Sequence, residues 1–270
     1  MKKSNALKTG IIILLCGLQL IPVYITVMVS LKPKTDMSSY WKPPAVPYIQ
    51  NFFTAFQAGN ILNAYKNTFI ITLCATLLVL LLATMAAYPL ARYPSRFNKA
   101  VRTFFLSIMM IPALSLLVPI YVLLLKLGGI SKYQGIIPVH VAFNLPLAIY
   151  MFSNFIKTIP SELDEAALID GCSVYSIFYR IIIPMLKPVI VSVIILTAVP
   201  VWNDFQYSLY FLHRPQMRVI TLAVASFFQQ SGSDPHVAAA AALMGILPIL
   251  VLYVILQKYF IKGMVDGAIK

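Results

Sequence analysis

The chain has 270 residues, of which 60% are hydrophobic and only 11% are charged. A soluble domain of this length would carry about 25% charged residues, so the composition favours a membrane protein. The net charge of +13 does not indicate a nucleic-acid partner, because the lysines and arginines stand singly or in small groups at the edges of apolar runs, as the flanks of membrane spans do.

Six apolar runs are long enough to cross a membrane, since a spanning helix needs about 20 residues. They cover residues 9–31, 67–91, 103–125, 133–156, 188–212 and 237–257. The first run follows lysines, as in a signal peptide, but it is too long for one and no small-residue cleavage pattern follows it, so we expect it to be retained. The sequence therefore predicts an all-α, polytopic membrane fold with six transmembrane helices, in which residues 1–270 form one transmembrane domain.

The basic residues predict that both termini lie in the cytoplasm, because lysine and arginine concentrate in short inner segments. The densest group follows the second run: Arg92, Arg96, Lys99 and Arg102. On this topology the outer segments are residues 32–66, a short turn near 128–132, and 213–236. Within the first of these, residues 51–56 (NFFTAF) are expected to form a short amphipathic helix at the outer interface.

A charged segment, residues 160–187, interrupts the apolar pattern between the fourth and fifth runs; we call it the acidic segment. It holds four of the chain's eight acidic residues within nine positions: Glu162, Asp164, Glu165 and Asp170. So many charges do not lie in hydrocarbon, and the predicted topology puts the segment in the cytoplasm.

Local signals predict two short helices in the acidic segment. Ser161 is expected to cap the first, with Asp164 three positions further on and carboxylates at the positive end of the helix dipole. That helix would cover residues 162–169 and stop at Gly171, which adopts left-handed conformations readily. A second piece, residues 174–183, would end at the next proline. From these residues alone, a solvated interfacial loop explains the segment about as well as a docking surface.

The acidic segment also resembles a known motif, the EAA loop of the membrane subunits of ABC importers. The matching residues are Glu165-Ala166-Ala167-Leu168-Ile169-Asp170-Gly171, followed by Pro184 and Pro188. The resemblance extends over essentially the whole chain. Residues 86–94 (AAYPLARYP), 202–205 (WNDF) and 257–260 (QKYF) look like segments of the maltose-type carbohydrate permeases, and residues 263–270 are similar to the tail of their MalG-like subunit.

The resemblance implies that the acidic segment forms coupling helices that sit in a cleft of a nucleotide-binding subunit. The residues that would carry this role are Glu165, Ala166, Ala167, Asp170, Gly171 and Pro184, with the C-terminal tail as a second contact. The resemblance also implies a second, MalF-like permease subunit, two ATP-binding subunits, and an extracytoplasmic solute-binding protein.

A polar group in the fifth run is the candidate substrate pathway. Asn203, Gln206, Tyr207 and Tyr210 recur at helical spacing, which predicts one shared helix face, and Asp204 lies one step round. A charge near mid-bilayer costs about 2.5–3.5 kcal/mol on insertion scales, so it should face a cavity or a partner. Asn144 in the fourth run carries a weaker version of this argument. Tyrosine and amide groups suit sugar hydroxyls, although packing between helices explains the same residues equally well.

The sequence contains no pattern typical of catalysis or of a metal site. None of its eleven glycines is followed by lysine, so there is no GxxxxGK[ST] phosphate-binding loop. No Ser/His/Asp or HExxH arrangement occurs, and the three cysteines and three histidines do not have ligand spacing. We therefore expect no catalytic residue, metal or cofactor in this chain, with ATP and Mg²⁺ bound by the partner subunits.

These observations predict a non-catalytic permease subunit of an ATP-driven importer for a sugar or oligosaccharide, in lipid of the bacterial cytoplasmic (inner) membrane. Within that class, the alternative substrate is glycerol-3-phosphate or another polar solute. From a different class, the alternative is a stand-alone secondary transporter or channel for a small polar solute. The single buried carboxylate candidate and the lack of a visible inverted repeat count against that alternative.

Overall fold

A computed structural model of the chain describes the backbone of residues 2–229 and 234–268 and the side chains of residues 8–228 and 234–258. Every regular element in these ranges is helical. The α-helices are α1 (Lys2–Ser30), α2 (Gln50–Ala58), α3 (Ile61–Arg92), α4 (Arg96–Ile108), α5 (Leu117–Lys126), α6 (Tyr133–Thr158), α7 (Glu162–Ile169), α8 (Val174–Ile177), α9 (Ile183–Met185), α10 (Lys187–Trp202), α11 (Gln206–Phe211), α12 (Ile220–Gln229) and α13 (Pro235–Ala268). Short 3₁₀ turns cover Ala113–Leu116 and Pro215–Met217, and a π-helical turn covers Phe178–Ile182.

Four helices are long and apolar enough to cross a membrane by themselves: Lys8–Ser30 in α1, Ile61–Arg92, Tyr133–Thr158, and Pro235–Lys258 in α13. They match the predicted runs 9–31, 67–91, 133–156 and 237–257. Two bent helix pairs raise the number of candidate spans to as many as six. The chain is therefore a multi-pass helical membrane protein, as predicted, while the count of six and the side on which the termini lie stay predictions.

The third predicted span, residues 103–125, is not one helix, which corrects that prediction. Helix α4 begins at Arg96 because the Ser95 hydroxyl caps it, accepting from the Asn98 backbone N–H at 3.0 Å. The chain then bends by 93° between α4 and the turn that leads into α5. The cause of the break is Pro112, which disfavours helical geometry in the residue before it.

The fifth predicted span, residues 188–212, is also broken. Helix α10 ends at Trp202, residues 203–205 form a turn, and α11 starts at Gln206. Asp204 explains the break, because its carboxylate accepts from the backbone N–H groups of Tyr207 and Ser208 at 3.1 and 2.8 Å. A carboxylate that competes for backbone donors in this way starts a new helix and ends the old one.

The described residues fall into two compact units. The first takes its residues from Met1–Tyr65 and Val219–Pro248, and its core packs α2 against α12 and α13 through small side chains: Ala55, Val237, Ala240 and Ala241 with Phe52, Val224, Phe227 and Met244. Helix α12 lies in the segment 213–236, which was predicted to be an outer segment. Its ten residues are too few to span a membrane, so this helix does not stand out among apolar runs of membrane length.

A buried lysine organises the connection between α1 and α2 in the first unit. Lys32 is fully buried, and its ammonium donates to the Ser38 hydroxyl at 2.6 Å and to the Ser39 carbonyl at 2.8 Å. Its nitrogen also lies 3.8 Å from a carboxylate oxygen of Asp36. Hydrogen bonds from Ser38, and then the charge of Lys32, lower the pKa of Asp36. The amide of Asn51 in α2 ties the same region down by donating to the carbonyls of Ser30 and Lys32, each at 2.8 Å.

The second unit takes its residues from Lys66–Arg218 and Ile249–Lys270, and α6 is its central helix, packed against α4, α10 and α11. Fully buried side chains mark its core, among them Phe152 in α6, Leu186 before α10, and Phe211 in α11. The amide of Asn67 joins distant parts of this unit. It donates to the Gln216 and Arg218 carbonyls and accepts from the Tyr133 hydroxyl at 2.6 Å.

Candidate functional site

The first helix of the acidic segment forms as predicted, as α7 from Glu162 to Ile169. The chain turns at Gly171, whose φ of +79° is the left-handed conformation that glycine adopts at low cost. The amide of Cys172 then donates to the Ala167 carbonyl at 2.9 Å, and the amide of Gly171 to the Leu168 carbonyl at 3.0 Å. These bonds satisfy carbonyls that the helix end leaves open.

The predicted cap at Ser161 is wrong. The Ser161 backbone is itself helical (φ −69°, ψ −22°), and its side chain makes no capping hydrogen bond. Its carbonyl instead accepts from the backbone amides of Asp164 and Glu165. A helical backbone turns the hydroxyl away from these amides, so local sequence chemistry does not fix the start of α7.

A side chain from the end of α3 holds the start of α7 in place. The guanidinium of Arg92 donates to both carboxylate oxygens of Asp164, with Nε 2.9 Å from Oδ2 and Nη2 3.3 Å from Oδ1. It also donates to the carbonyls of Ile159 at 2.8 Å and Pro160 at 3.4 Å. The hydroxyl of Tyr88, one turn earlier in α3, donates to Asp164 Oδ2 at 3.1 Å. This arrangement fixes the orientation of α7 relative to α3.

The second half of the acidic segment differs from its predicted form. Residues 174–183 were predicted to form one helix that breaks at Pro184, but α8 passes through the π-helical turn and α9 to Met185, and the 74° bend comes only before α10. Pro184 has no N–H to donate four residues back, and a wider turn accommodates its ring. The ring of Phe178 in that turn lies 5.5 Å from the ring of Tyr88, centre to centre.

Most of the predicted coupling residues are exposed to solvent. Glu165, Ala166, Asp170, Gly171 and Pro184 are exposed, whereas Ala167 is buried. Beside them lies a group of exposed apolar side chains: Leu168, Ile169, Val174, Tyr175 and Tyr179. Ile169 is 87% exposed and Tyr175 is 79% exposed. Apolar side chains this exposed, rimmed by carboxylates in a segment too charged for lipid, are typical of a surface that a partner covers. The predicted second contact, the tail 263–270, lies outside the described side chains.

The predicted pathway residues divide between a cavity and the surface. A cavity of about 350 Å³ lies between α4, α6, α10 and α11, and Asn144, Asp204 and Tyr207 are among the residues that line it. Asn203, Gln206 and Tyr210 do not line it and are exposed. The expected shared helix face does not exist, because the break at residues 203–205 separates Asn203 from α11.

Asp204 is held by the protein itself at the edge of this cavity. Besides its two bonds to backbone amides, its Oδ2 accepts from the Ser208 hydroxyl at 2.7 Å. The carboxylate therefore starts α11, as a helix cap does.

His140 also lines the cavity, although no sequence pattern pointed to it. Its Nε2 is buried, has no hydrogen-bond partner in the described part of the chain, and lies 3.7 Å from Asp204 Oδ2. A lone histidine in an apolar run does not indicate a functional site. His140 becomes a candidate because the fold places it next to Asp204 in the cavity.

Aromatic side chains form one wall of the cavity. The rings of Phe143 and Tyr207 stack with centroids 5.1 Å apart and planes 22° apart, and Tyr207 donates from its hydroxyl to the Ala113 carbonyl at 3.3 Å. A flat aromatic wall next to an amide, an imidazole and a carboxylate suits a ligand with both an apolar face and hydroxyl groups. Among the described residues, no three histidine, cysteine or acidic side chains come together as a metal site would require.

Comparison with known proteins identifies relatives over most of the chain. Residues 79–266 match the family model described as "binding-protein-dependent transport system inner membrane component". The chain is 40% identical over 269 residues to the melibiose/raffinose/stachyose import permease protein MelC of Bacillus subtilis strain 168, covering 99% of this chain and 98% of the relative.

Two solved structures share the fold. One is a chain of a bacterial ABC transporter involved in the import of the acidic polysaccharide alginate, with a TM-score of 0.82 and 20% identity over 96% of this chain and 98% of that one. The other is a chain of a bacterial alginate ABC transporter in complex with an alginate pentasaccharide-bound periplasmic protein, with a TM-score of 0.65 and 18% identity over 94% and 93% of the two chains.

Proposed function

Because the chain belongs to the family of binding-protein-dependent transport system inner membrane components, we propose that it is the permease subunit of an ATP-driven importer for a sugar or oligosaccharide. The substrate class rests on the 40% identical relative, which is by its name an import permease for melibiose, raffinose and stachyose. The membrane is the bacterial cytoplasmic membrane, which the chain crosses six times with both termini in the cytoplasm.

The observation that carries the proposal is the exposed apolar and acidic face of the acidic segment. Ile169 and Tyr175 are almost fully exposed, and covering them with a partner would remove apolar surface from water. The exposed carboxylates of Glu165 and Asp170 lie on the same short stretch and would orient that partner. We propose that the partner is an ATP-binding subunit and that Glu165, Ala166, Ala167, Asp170, Gly171 and Pro184 form or support the docking surface.

The ion pair between Arg92 and Asp164 would transmit the motion of that partner. A rigid-body shift of α7 acts directly on α3 because the guanidinium joins the two helices and the loop before α7. Two ATP-binding subunits would bind ATP and Mg²⁺ and close, and this chain would change between inward-facing and outward-facing states. The chain itself would have no catalytic role.

The remaining partners follow from the size of the pathway and from the family. One chain with six spans would supply half of a pathway, and a second, homologous permease subunit would supply the rest. A solute-binding protein would deliver the substrate at the outer face. The cavity lined by Asn144, Asp204 and Tyr207 would be part of the half of the substrate pathway that this chain supplies.

Uptake by reconstituted vesicles tests the proposal. The chain, its second permease subunit, the ATP-binding subunits and the binding protein are placed in proteoliposomes, and labelled raffinose is supplied outside. We expect uptake that requires ATP inside and that vanadate blocks. Uptake driven by an ion gradient in vesicles that contain this chain alone would contradict the proposal and favour a secondary transporter.

A further inference from the structure

A second cavity, of about 460 Å³, lies between the end of α3, the start of α4 and the end of α6. Four cationic side chains line it: Arg96, Lys99, Arg102 and Lys157. None of its lining residues is acidic. Four like charges around one opening repel each other, so the cavity favours an anion.

In the part of the chain that the structure describes, no carboxylate neutralises these four residues. None of them forms an ion pair with aspartate or glutamate anywhere in the described ranges. Arg96, Lys99 and Lys157 are exposed, and Arg102 is half-buried. Arg92, which lies nearby in sequence, is different because its guanidinium already forms an ion pair with Asp164. The positive charge of the cavity is therefore available to a molecule from outside.

The frame of the cavity is held by polar contacts. The amide of Asn98 in α4 donates to the carbonyls of Pro89 at 3.2 Å and Tyr93 at 2.8 Å, which fixes α4 to the end of α3. The guanidinium of Arg102 donates to the amide oxygen of Asn154 in α6 at 2.6 Å. These contacts join α3, α4 and α6 and hold the Arg102 side chain in place without a ligand, which lowers the cost of binding one.

The position of α4 indicates which anion is available there. Arg96, Lys99 and Arg102 follow one face of the helix at intervals of three residues, while Phe97 and Phe104 point from the other side and are 75% and 62% exposed. Helices α3 and α6, whose last turns line the cavity, are both long and apolar enough to cross a membrane. The basic face of α4 therefore lies at the end of two spans, which is where lipid headgroups are found.

We propose that this cavity binds the headgroup phosphate of an anionic membrane lipid such as phosphatidylglycerol, held by Arg96, Lys99, Arg102 and Lys157. Basic pockets between membrane helices bind anionic headgroups in this way. A lipid is favoured over free phosphate because the cavity lies at the ends of two membrane-length helices, α3 and α6, where lipid headgroups are concentrated. The proposal requires only that the chain lies in a membrane, so it does not depend on the substrate or on ATP coupling.

Native mass spectrometry of the purified complex, titrated with phosphatidylglycerol or with phosphatidylcholine of the same chain length, tests the site. We expect the Lys99→Gln/Lys157→Gln variant to bind phosphatidylglycerol about 25-fold more weakly at this site, since each basic residue near an anionic surface contributes about fivefold. The matched control is Lys126→Gln/Lys132→Gln, which removes two exposed lysines outside the cavity and should retain the lipid. The Lys99→Arg/Lys157→Arg variant should also retain it, which separates loss of charge from loss of fold.

Three results would overturn the proposal. In the first, the control variant loses as much phosphatidylglycerol as Lys99→Gln/Lys157→Gln. Positive charge anywhere on the surface would then attract the lipid equally well. Equal retention of phosphatidylcholine and phosphatidylglycerol would mean that the cavity does not recognise the anionic phosphate. Displacement of the bound lipid by an excess of inorganic phosphate would identify a free anion as the ligand instead.

Discussion

Arg92 and Asp164, 72 positions apart, form the contact that fixes the acidic segment to a membrane helix. Both side chains are nearly buried, with 10% and 12% of their surface exposed. The same guanidinium also binds the carbonyls of Ile159 and Pro160, so one arginine orients both α7 and the loop that leads into it. A shared, desolvated ion pair of this kind is costly to break by removing one partner.

The first prediction is that Arg92→Gln frees α7 from α3. Removing one partner of a buried ion pair costs about 3–5 kcal/mol. Here the loss should fall on the acidic segment, because Asp164 then loses its charged partner and keeps the hydrogen bond from the Tyr88 hydroxyl. Hydrogen exchange of the α7 amides should become at least tenfold faster, and transport per ATP hydrolysed should fall. The matched control, Asp170→Asn, removes an exposed charge from the same segment and should leave the exchange rates unchanged. Slow exchange in Arg92→Gln would contradict this role of the ion pair.

The second prediction separates the residues that line the first cavity from those that do not. Asn144→Ala and Tyr207→Ala should each raise the KM for uptake about three- to tenfold, as expected for the loss of one hydrogen bond or contact with the sugar. Gln206→Ala and Tyr210→Ala should leave KM unchanged, because these side chains are exposed outside the cavity. Equal effects of the two pairs in an initial-rate uptake assay would remove the cavity from the pathway.

The third prediction concerns Asp204, which accepts three hydrogen bonds at the start of α11. Asp204→Ala should destabilise the chain by about 1–2 kcal/mol, as other losses of a helix cap do. Asp204→Asn keeps an acceptor oxygen and should cost much less. Thermal unfolding of both variants in detergent measures the difference. If both variants unfold at the temperature of the unchanged chain, the carboxylate does not act as a cap.

The fourth prediction concerns Lys32 in the connection between α1 and α2. Lys32→Ala removes two hydrogen bonds from a charged group, and each such bond contributes about 1.5–3 kcal/mol. Residues 33–48 should then become more sensitive to limited proteolysis. Lys34 is exposed in the same connection, so Lys34→Ala serves as the control and should be cleaved at the unchanged rate. Equal cleavage of the two variants would show that the buried ammonium does not order the connection.

The parts of the structure that could be predicted are those that local chemistry determines. The end of α7 followed from Gly171, which takes the left-handed conformation that stops the helix, and four spanning helices followed from the length of their apolar runs. The break at residues 203–205 could not be predicted from the regular spacing of polar residues, because Asp204 competes with the helix for backbone donors. The cap at Ser161 failed for a related reason, since Arg92 binds the start of α7 from a distant part of the chain.

The candidate site divides in the same way. Glu165 and Gly171 belong to a linear motif and could be named from the sequence. His140 and the ion pair of Arg92 depend on contacts between helices far apart in the chain, and no spacing rule reveals them. Arg92 was named from the sequence as a basic residue that flanks a span and as part of the segment 86–94, but neither observation pointed to Asp164 as its partner.

The central claim is that the acidic segment docks an ATP-binding subunit through the surface that holds Glu165. The measurement that tests it most directly compares Glu165→Lys with Glu162→Lys, two charge reversals of exposed carboxylates on α7, of which only the first lies in the motif. Each variant is purified from membranes, and the amount of bound ATP-binding subunit and the ATP-dependent uptake are measured. We predict that Glu165→Lys inserts normally but loses most of the bound ATPase and of the uptake, while Glu162→Lys keeps both. Retention of the ATPase and of uptake by Glu165→Lys, or the same loss in both variants, would contradict the account.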